Sequence, residues 1–208
     1  MSTSQQNLEA LQDIRKIMDR SSRFISLSGF SGIAAGICAI AGAWFANQKI
    51  TAYYNNYSSA ESCPSCLKSD LITIAAIVFV VAFTSAVGLT LVKSRKDGVA
   101  IWGTVAKRLL WNTIIPMIAG GFLIWRMMDL KQYDLIPAAS LIFYGLALVN
   151  GSKYTLGEVR YLGFAQLITG IIGLWFVGSG LYFWAFGFGI LHIVYGVAMW
   201  WKYERRAL

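Results

Sequence analysis

Apolar residues in this chain fall into long blocks, and polar residues gather in short clusters between them. The longest block, Leu71 to Val92, runs for 22 residues without a charge and is closed by Lys93, Arg95 and Lys96. As a helix rising about 1.5 Å per residue it is roughly 33 Å long, enough to cross a hydrocarbon core of about 30 Å. Its Thr73, Thr84, Ser85 and Thr90 hydroxyls can bond to carbonyls of the preceding turn, so nothing in it requires water. Five further blocks share this character: Phe24 to Ala46, Leu109 to Trp125, Leu135 to Val149, Tyr161 to Val177 and Tyr182 to Trp201. The pattern predicts an all-α polytopic membrane protein, with six transmembrane helices in a compact bundle.

Local residues refine each block. Pro116 and Gly120-Gly121 interrupt the third, where a missing backbone N–H predicts a kink rather than a break. Pro137 falls in the first turn of the fourth, where proline costs least. That block is short for a full crossing, and a re-entrant segment is the lesser alternative. Gly178 to Leu181 is too brief a link for anything but an antiparallel hairpin of the last two blocks. The longest polar connection, Asn47 to Asp70, carries Tyr and Asn-Ser clusters suited to an interfacial loop.

Ahead of the first block, Leu8, Leu11, Ile14, Ile17 and Met18 recur at helical spacing, with Arg15, Lys16, Asp19 and Arg20 mostly on other faces. This predicts an amphipathic N-terminal helix in the membrane interface. Acidic residues and the lack of an apolar run before Arg23 argue against a secretory signal or transit peptide. The expected organisation is a cytoplasmic amphipathic segment over 1–23, a six-helix membrane domain over 24–201 and a short basic cytoplasmic tail over 202–208.

Composition agrees: 57% of residues are apolar, 13% are charged and the mean hydropathy is +0.57. A soluble domain carries about a quarter charged residues. The formal charge of +8 would suit nucleic acid if it lay on one face, but the basic residues sit between apolar blocks and read as topology signals, so no nucleic-acid partner is expected. With the N-terminus inside, all but Lys49, Lys68, Arg126 and Lys131 of the 18 basic residues fall on the cytoplasmic side. The positive-inside rule then predicts a multi-pass inner-membrane protein with both termini cytoplasmic.

Candidate chemistry is sparse. Cys63-Pro64-Ser65-Cys66 can form a disulfide, exchange disulfides or bind a soft metal, and lies on the outer side in the predicted topology; a structural disulfide between Cys63 and Cys66 is the favoured reading. One pair supplies only two metal ligands, so no metal site is assigned. His192, the only histidine, falls in the last block, and Gly189, His192 and Gly196 share a helix face; an interhelical hydrogen bond to Tyr, Ser or Thr is the favoured role, a proton relay the alternative. Ser28, Gly32 and Gly36 recur at i+4 and make a helix-packing face, within the chain or between copies. Cys38 in the same block reads as a small core residue. No phosphate-binding, zinc-protease, serine-hydrolase or dinucleotide fingerprint occurs, and no cofactor is expected.

The cysteine pair ahead of a membrane helix resembles the periplasmic dithiol of quinone-linked disulfide-generating membrane proteins. Those families relay electrons through a second pair, whereas Cys38 is the sole further cysteine here. As a whole the chain resembles uncharacterised six-span bacterial inner-membrane proteins. IRKIMDRSSRFISLSGFSG over 14–32, PAASLIFYGLALVNGSKYTLGEVRYLG over 137–163 and FWAFGFGILHIVYG over 183–196 carry that likeness. It implies no known activity. The expected function is non-enzymatic, in membrane integrity, assembly or binding of a membrane-protein partner or second copy in the lipid bilayer. A small-solute transporter and a thiol–disulfide oxidoreductase acting through Cys63 and Cys66 are the alternatives.

Overall fold

The computed structural model describes residues 28–55, 63–97 and 102–205, and every regular element among them is helical. The amphipathic segment expected over 5–23 lies outside the described residues. Six helices follow in order: α1 (Gly29–Asn55), α2 (Pro64–Asp97), α3 (Thr104–Asp129), α4 (Ile136–Gly151), α5 (Glu158–Gly173) and α6. The last begins as Gly180–Trp184 and passes through a π-helical stretch, Ala185–Leu191. It returns to α-helix over His192–Met199 and ends in a second π turn, Trp200–Glu204.

Side-chain contacts fix how the helices alternate. Lys68 meets Tyr133, and Gly180 meets Pro137, at one end of the bundle; Lys202 meets Glu158, and Gly151 meets Thr113, at the other. The first is called here the disulfide end and the second the basic end. Helix α1 packs on α2 and on α6, α6 packs on α5 and α4, and α3 flanks α4. The two outer helices, α2 and α3, thus each have one main neighbour.

Among the described residues, five helical stretches are long and apolar enough to cross a membrane: Gly29–Asn55, Pro64–Lys96, Thr104–Asp129, Tyr133–Tyr154 and Gly180–Tyr203. The expected fifth span, Tyr161 to Val177, does not reach that length. Its helix α5 has 16 residues, about 24 Å, because the chain leaves the helix after Gly173 and turns through Gly178 at a φ of 91°. Only glycine takes that left-handed conformation without strain. One face of α5 is buried, with seven residues from Val159 to Gly173, while Tyr161, Phe164, Ile168, Ile171 and Ile172 are exposed on the other.

Helix α1 also runs through Asn55, well into the segment expected to be a polar loop. Beyond the hydrocarbon a helix needs no apolar residues, so hydropathy marks no end there. An ion pair between Lys49 and Asp70, 2.9 Å apart, joins the extended ends of α1 and α2. Helix α3 continues through Pro116, and the carbonyl of Asn112 that the proline leaves without its usual donor accepts a 2.8 Å hydrogen bond from the Asn150 side chain on α4. The same helix closes with Lys131 at a φ of 59°, where Gln132 N–H donates to Met127 and Lys131 N–H to Met128.

Small residues set the spacing of the central helices. A Cβ at Gly36 would lie 2.6 Å from the Gly189 carbonyl oxygen, and one at Gly29 would lie 2.6 Å from that of Gly196. Gly145 and Gly163 bring α4 and α5 into the same backbone contact.

Candidate functional site

Two polar constellations stand out from the apolar bundle. The first is at the disulfide end, where Cys63 immediately precedes α2 and Pro64 occupies its first turn. Proline suits that position because its φ is already helical and its missing N–H would have no intrahelical acceptor. Cys66 sits one turn along and is bonded to Cys63, with a Cα–Cα separation of 5.2 Å. The backbone N–H of Cys66 donates to Cys63 Sγ at 3.2 Å, and the Ser65 hydroxyl lies 3.2 Å from the same sulfur.

The two sulfurs are therefore unequal. Cys63 is half-buried, receives these two contacts and sits at the positive end of a 34-residue helix. The two contacts and the helix N-terminus stabilise negative charge on its sulfur when the bond is opened. Cys66 is exposed to solvent. The apolar stretch of α2 begins at Leu71, so the pair stands about 10 Å beyond it along the helix axis.

The second constellation is buried between α4, α5 and α6. His192 is 6% exposed and Gln166 is fully enclosed. Tyr144 Oη lies 2.9 Å from His192 Nε2, and His192 Nδ1 lies 3.1 Å from the carbonyl oxygen of Gly187. Gln166 Nε2 donates to that same carbonyl at 2.7 Å. Gln166 Nε2 also lies 3.3 Å from Nδ1; the shorter contact to the Gly187 carbonyl, which can only accept, fits a proton on Nδ1 with Tyr144 donating to Nε2. Gln166 Oε1 is left without a hydrogen bond.

The cause of this cluster is the π-helical stretch Ala185–Leu191. Hydrogen bonding from i+5 instead of i+4 widens the helix there, and the Gly187 carbonyl within it is reached by side-chain donors. His192 and Gln166 supply them, and Phe188 and Tyr144 pack against the imidazole at centroid distances of 6.0 and 5.5 Å. The arrangement satisfies a backbone group in an apolar interior. It presents no open nucleophile.

The Gly32 and Gly36 face expected to pack helices lies against α6, at His192, Gly196 and Gly189, with Ser28 buried at its start. It is occupied within the chain. Cys38, on α1, is half-buried and carries a free thiol. Among the described residues no group of three or more His, Cys, Asp or Glu side chains could hold a metal ion.

At the basic end, Glu158 accepts hydrogen bonds from Lys202 and, at 2.9 Å, from Tyr203. Partial burial pushes the Glu158 carboxyl up. The hydrogen bonds from Lys202, its own backbone and Tyr203, together with the Lys202 charge, outweigh that and hold it below its ordinary value.

Gln166, Tyr144 and Asn150 were not singled out by the sequence. Gln166 had a signal, as the one amide side chain between Tyr161 and Val177. A scan against protein-family models found no match, and searches of curated proteins and of solved structures found none either. The molecule is a helical, largely hydrophobic bundle of the kind that resides in a lipid bilayer, and the resemblance drawn from its sequence gains no family from these comparisons.

Proposed function

We propose that this is a multi-pass inner-membrane protein that exchanges disulfides with thiol substrates through Cys63 and Cys66. In this reading both termini are cytoplasmic, α5 makes a sixth crossing inside the bundle, and the disulfide end faces the outer, oxidising side. The clustering of Lys and Arg at the basic end supports that orientation. The observation that carries the exchange reading is the inequality of the two sulfurs at the start of α2.

The step follows from that inequality. A substrate thiolate attacks the exposed Cys66 Sγ, the Cys63–Cys66 bond breaks, and its electron pair leaves on Cys63 as the stabilised thiolate. A second substrate thiolate attacks the substrate sulfur of the mixed disulfide and releases Cys66. The substrate loses two electrons and two protons, and the cysteine pair takes up both as a dithiol. Run backwards, the pair reduces a substrate disulfide. A leaving thiol of low pKa departs faster, so attack at Cys66 is the favoured route.

This ranking reverses the non-enzymatic expectation. The Gly32 and Gly36 face open to a partner or second copy in that expectation is covered by α6, and the Asn112 carbonyl freed by Pro116 accepts from Asn150.

The test is stoichiometric. Oxidised protein mixed with a reduced dithiol peptide is expected to yield one peptide disulfide per protein, read by differential alkylation and mass spectrometry. Cys63→Ser and Cys66→Ser should each abolish it, and the Cys63 thiol of Cys66→Ser should alkylate faster at neutral pH than the Cys66 thiol of Cys63→Ser. A bond that persists in excess thiol would identify a structural staple and overturn the reading.

A further inference from the structure

We propose that a groove on α2 beside the disulfide selects thiol substrates that carry negative charge, with Lys68 as the residue that selects them; the inference rests on the exchange reading above. Ser65, Lys68, Ser69, Ile72 and Thr73 line an open depression of about 250 Å³. Ser65 is the residue whose hydroxyl reaches Cys63 Sγ, so the groove begins at the disulfide. Cys66 shares a helix face with two of the lining residues, Ser69 and Thr73, which follow it at i+3 and i+7.

Polar side chains of Ser65, Lys68, Ser69 and Thr73 stand in it beside Ile72, although the rest of α2 toward Val92 is almost wholly apolar. Thr73 returns its hydroxyl to the Ser69 carbonyl at 2.8 Å, while the Ser69 hydroxyl is open to a ligand. The Lys68 ammonium is held 5.8 Å from the ring centroid of Tyr133, on the turn between α3 and α4, which fixes it at the groove rim. No carboxylate among the described residues pairs with it.

Lys49 is paired with Asp70, whereas the Lys68 ammonium has no carboxylate partner among the described residues and stands in the groove. A substrate segment lying along Ser65, Ser69 and Thr73 with its sulfur at Cys66 brings a neighbouring carboxylate toward Lys68. The groove is long enough for a few residues of extended chain and too open to enclose a small ligand, so the substrate class is a cysteine-containing segment with acidic neighbours.

Single-cysteine peptides matched in length, with the cysteine flanked by glutamates, glutamines or lysines, test this on the full-length oxidised protein. The rate of disulfide opening is followed by alkylation and mass spectrometry and corrected for each peptide's thiolate fraction. The glutamate peptide is expected to react about threefold faster than the glutamine peptide at low salt, as for one unit charge at about 6 Å in water. That preference should disappear in Lys68→Met and near 1 M salt, where screening acts within about 3 Å. Lys131→Asn, at a left-handed position asparagine tolerates, should retain it. Equal rates for all three peptides in the unaltered protein, or a preference that survives Lys68→Met, would overturn the assignment while leaving disulfide exchange intact. No reaction with any peptide would instead remove the exchange reading and this inference with it.

Discussion

Helices α2 and α6 carry the two polar constellations of this molecule, and they are packed in opposite ways. Nothing in the most apolar 18-residue window of α2 is buried, and its Phe79 is 62% exposed. Helix α6 is pressed against α1 through Gly189 and Gly196 so closely that no Cβ fits. The polar groups follow suit: His192 of α6 faces inward and meets backbone, while Cys66 at the head of α2 is exposed. Reactive sulfur needs access, and a helix with one neighbour provides it. A buried carbonyl needs donors, and a helix with many neighbours provides those.

The largest expected effect tests the packed side of that contrast. Gly36→Leu forces α1 away from the Gly189 backbone, which cannot yield as a side chain would, and should destabilise the bundle by about 3 kcal/mol. Phe79→Ala on α2 should stay within about 0.5 kcal/mol. Reversible unfolding in detergent with increasing denaturant measures both. Similar losses at the two positions would break the comparison.

A smaller effect is expected inside the polar cluster. His192→Ala removes one donor from the Gly187 carbonyl and the acceptor from Tyr144, and should cost about 1–2 kcal/mol in the same assay. Disulfide exchange at Cys63 and Cys66 should proceed at its normal rate in this variant. Loss of exchange with the fold retained would mean that the two constellations are one site.

The smallest effect concerns pH at the far end of α6. Glu158 is held below its ordinary value, so its contribution to stability is present at neutral pH, above the unfolded-state value, and is lost as pH falls through the folded one. Thermal midpoints taken from pH 7 down to pH 3 should fall more for the unaltered protein than for Glu158→Gln, whose side chain cannot titrate. Parallel curves would remove the Glu158–Lys202 contact from the account.

Much of this fold was legible because a lipid-facing helix must be apolar along its length, and hydropathy reports that directly. The method failed where its cause was absent. Helix α1 continues past Ala46 to Asn55 beyond the apolar run, so its end carried no signal. Helix α5 ends at Gly173, and the residues after it that looked like span are turn, because apolar residues in a tight connection carry the same hydropathy as those in a helix. Cys63 and Cys66 were legible because their spacing alone brings the sulfurs together. Gln166 meets His192, and Asn150 meets Asn112, across 26 and 38 residues, a distance that no local pattern encodes. Lys68 read only as one of a few outer charges until the fold placed it over Tyr133.

The π-helical stretch Ala185–Leu191 also bears on how this chain tolerates genetic change. Such a stretch is an α-helix holding an additional residue, so losing one codon there lets the local backbone relax into ordinary helix. Everything downstream would then turn by about 100°, the angle between successive residues. Gly196 would leave Gly29, His192 would leave the Gly187 carbonyl and Lys202 would leave Glu158, all without a single substitution. The reading frame of α6 is thereby tied to its partners on α1 and α5, and a one-residue deletion that is mild for the helix is severe for the bundle.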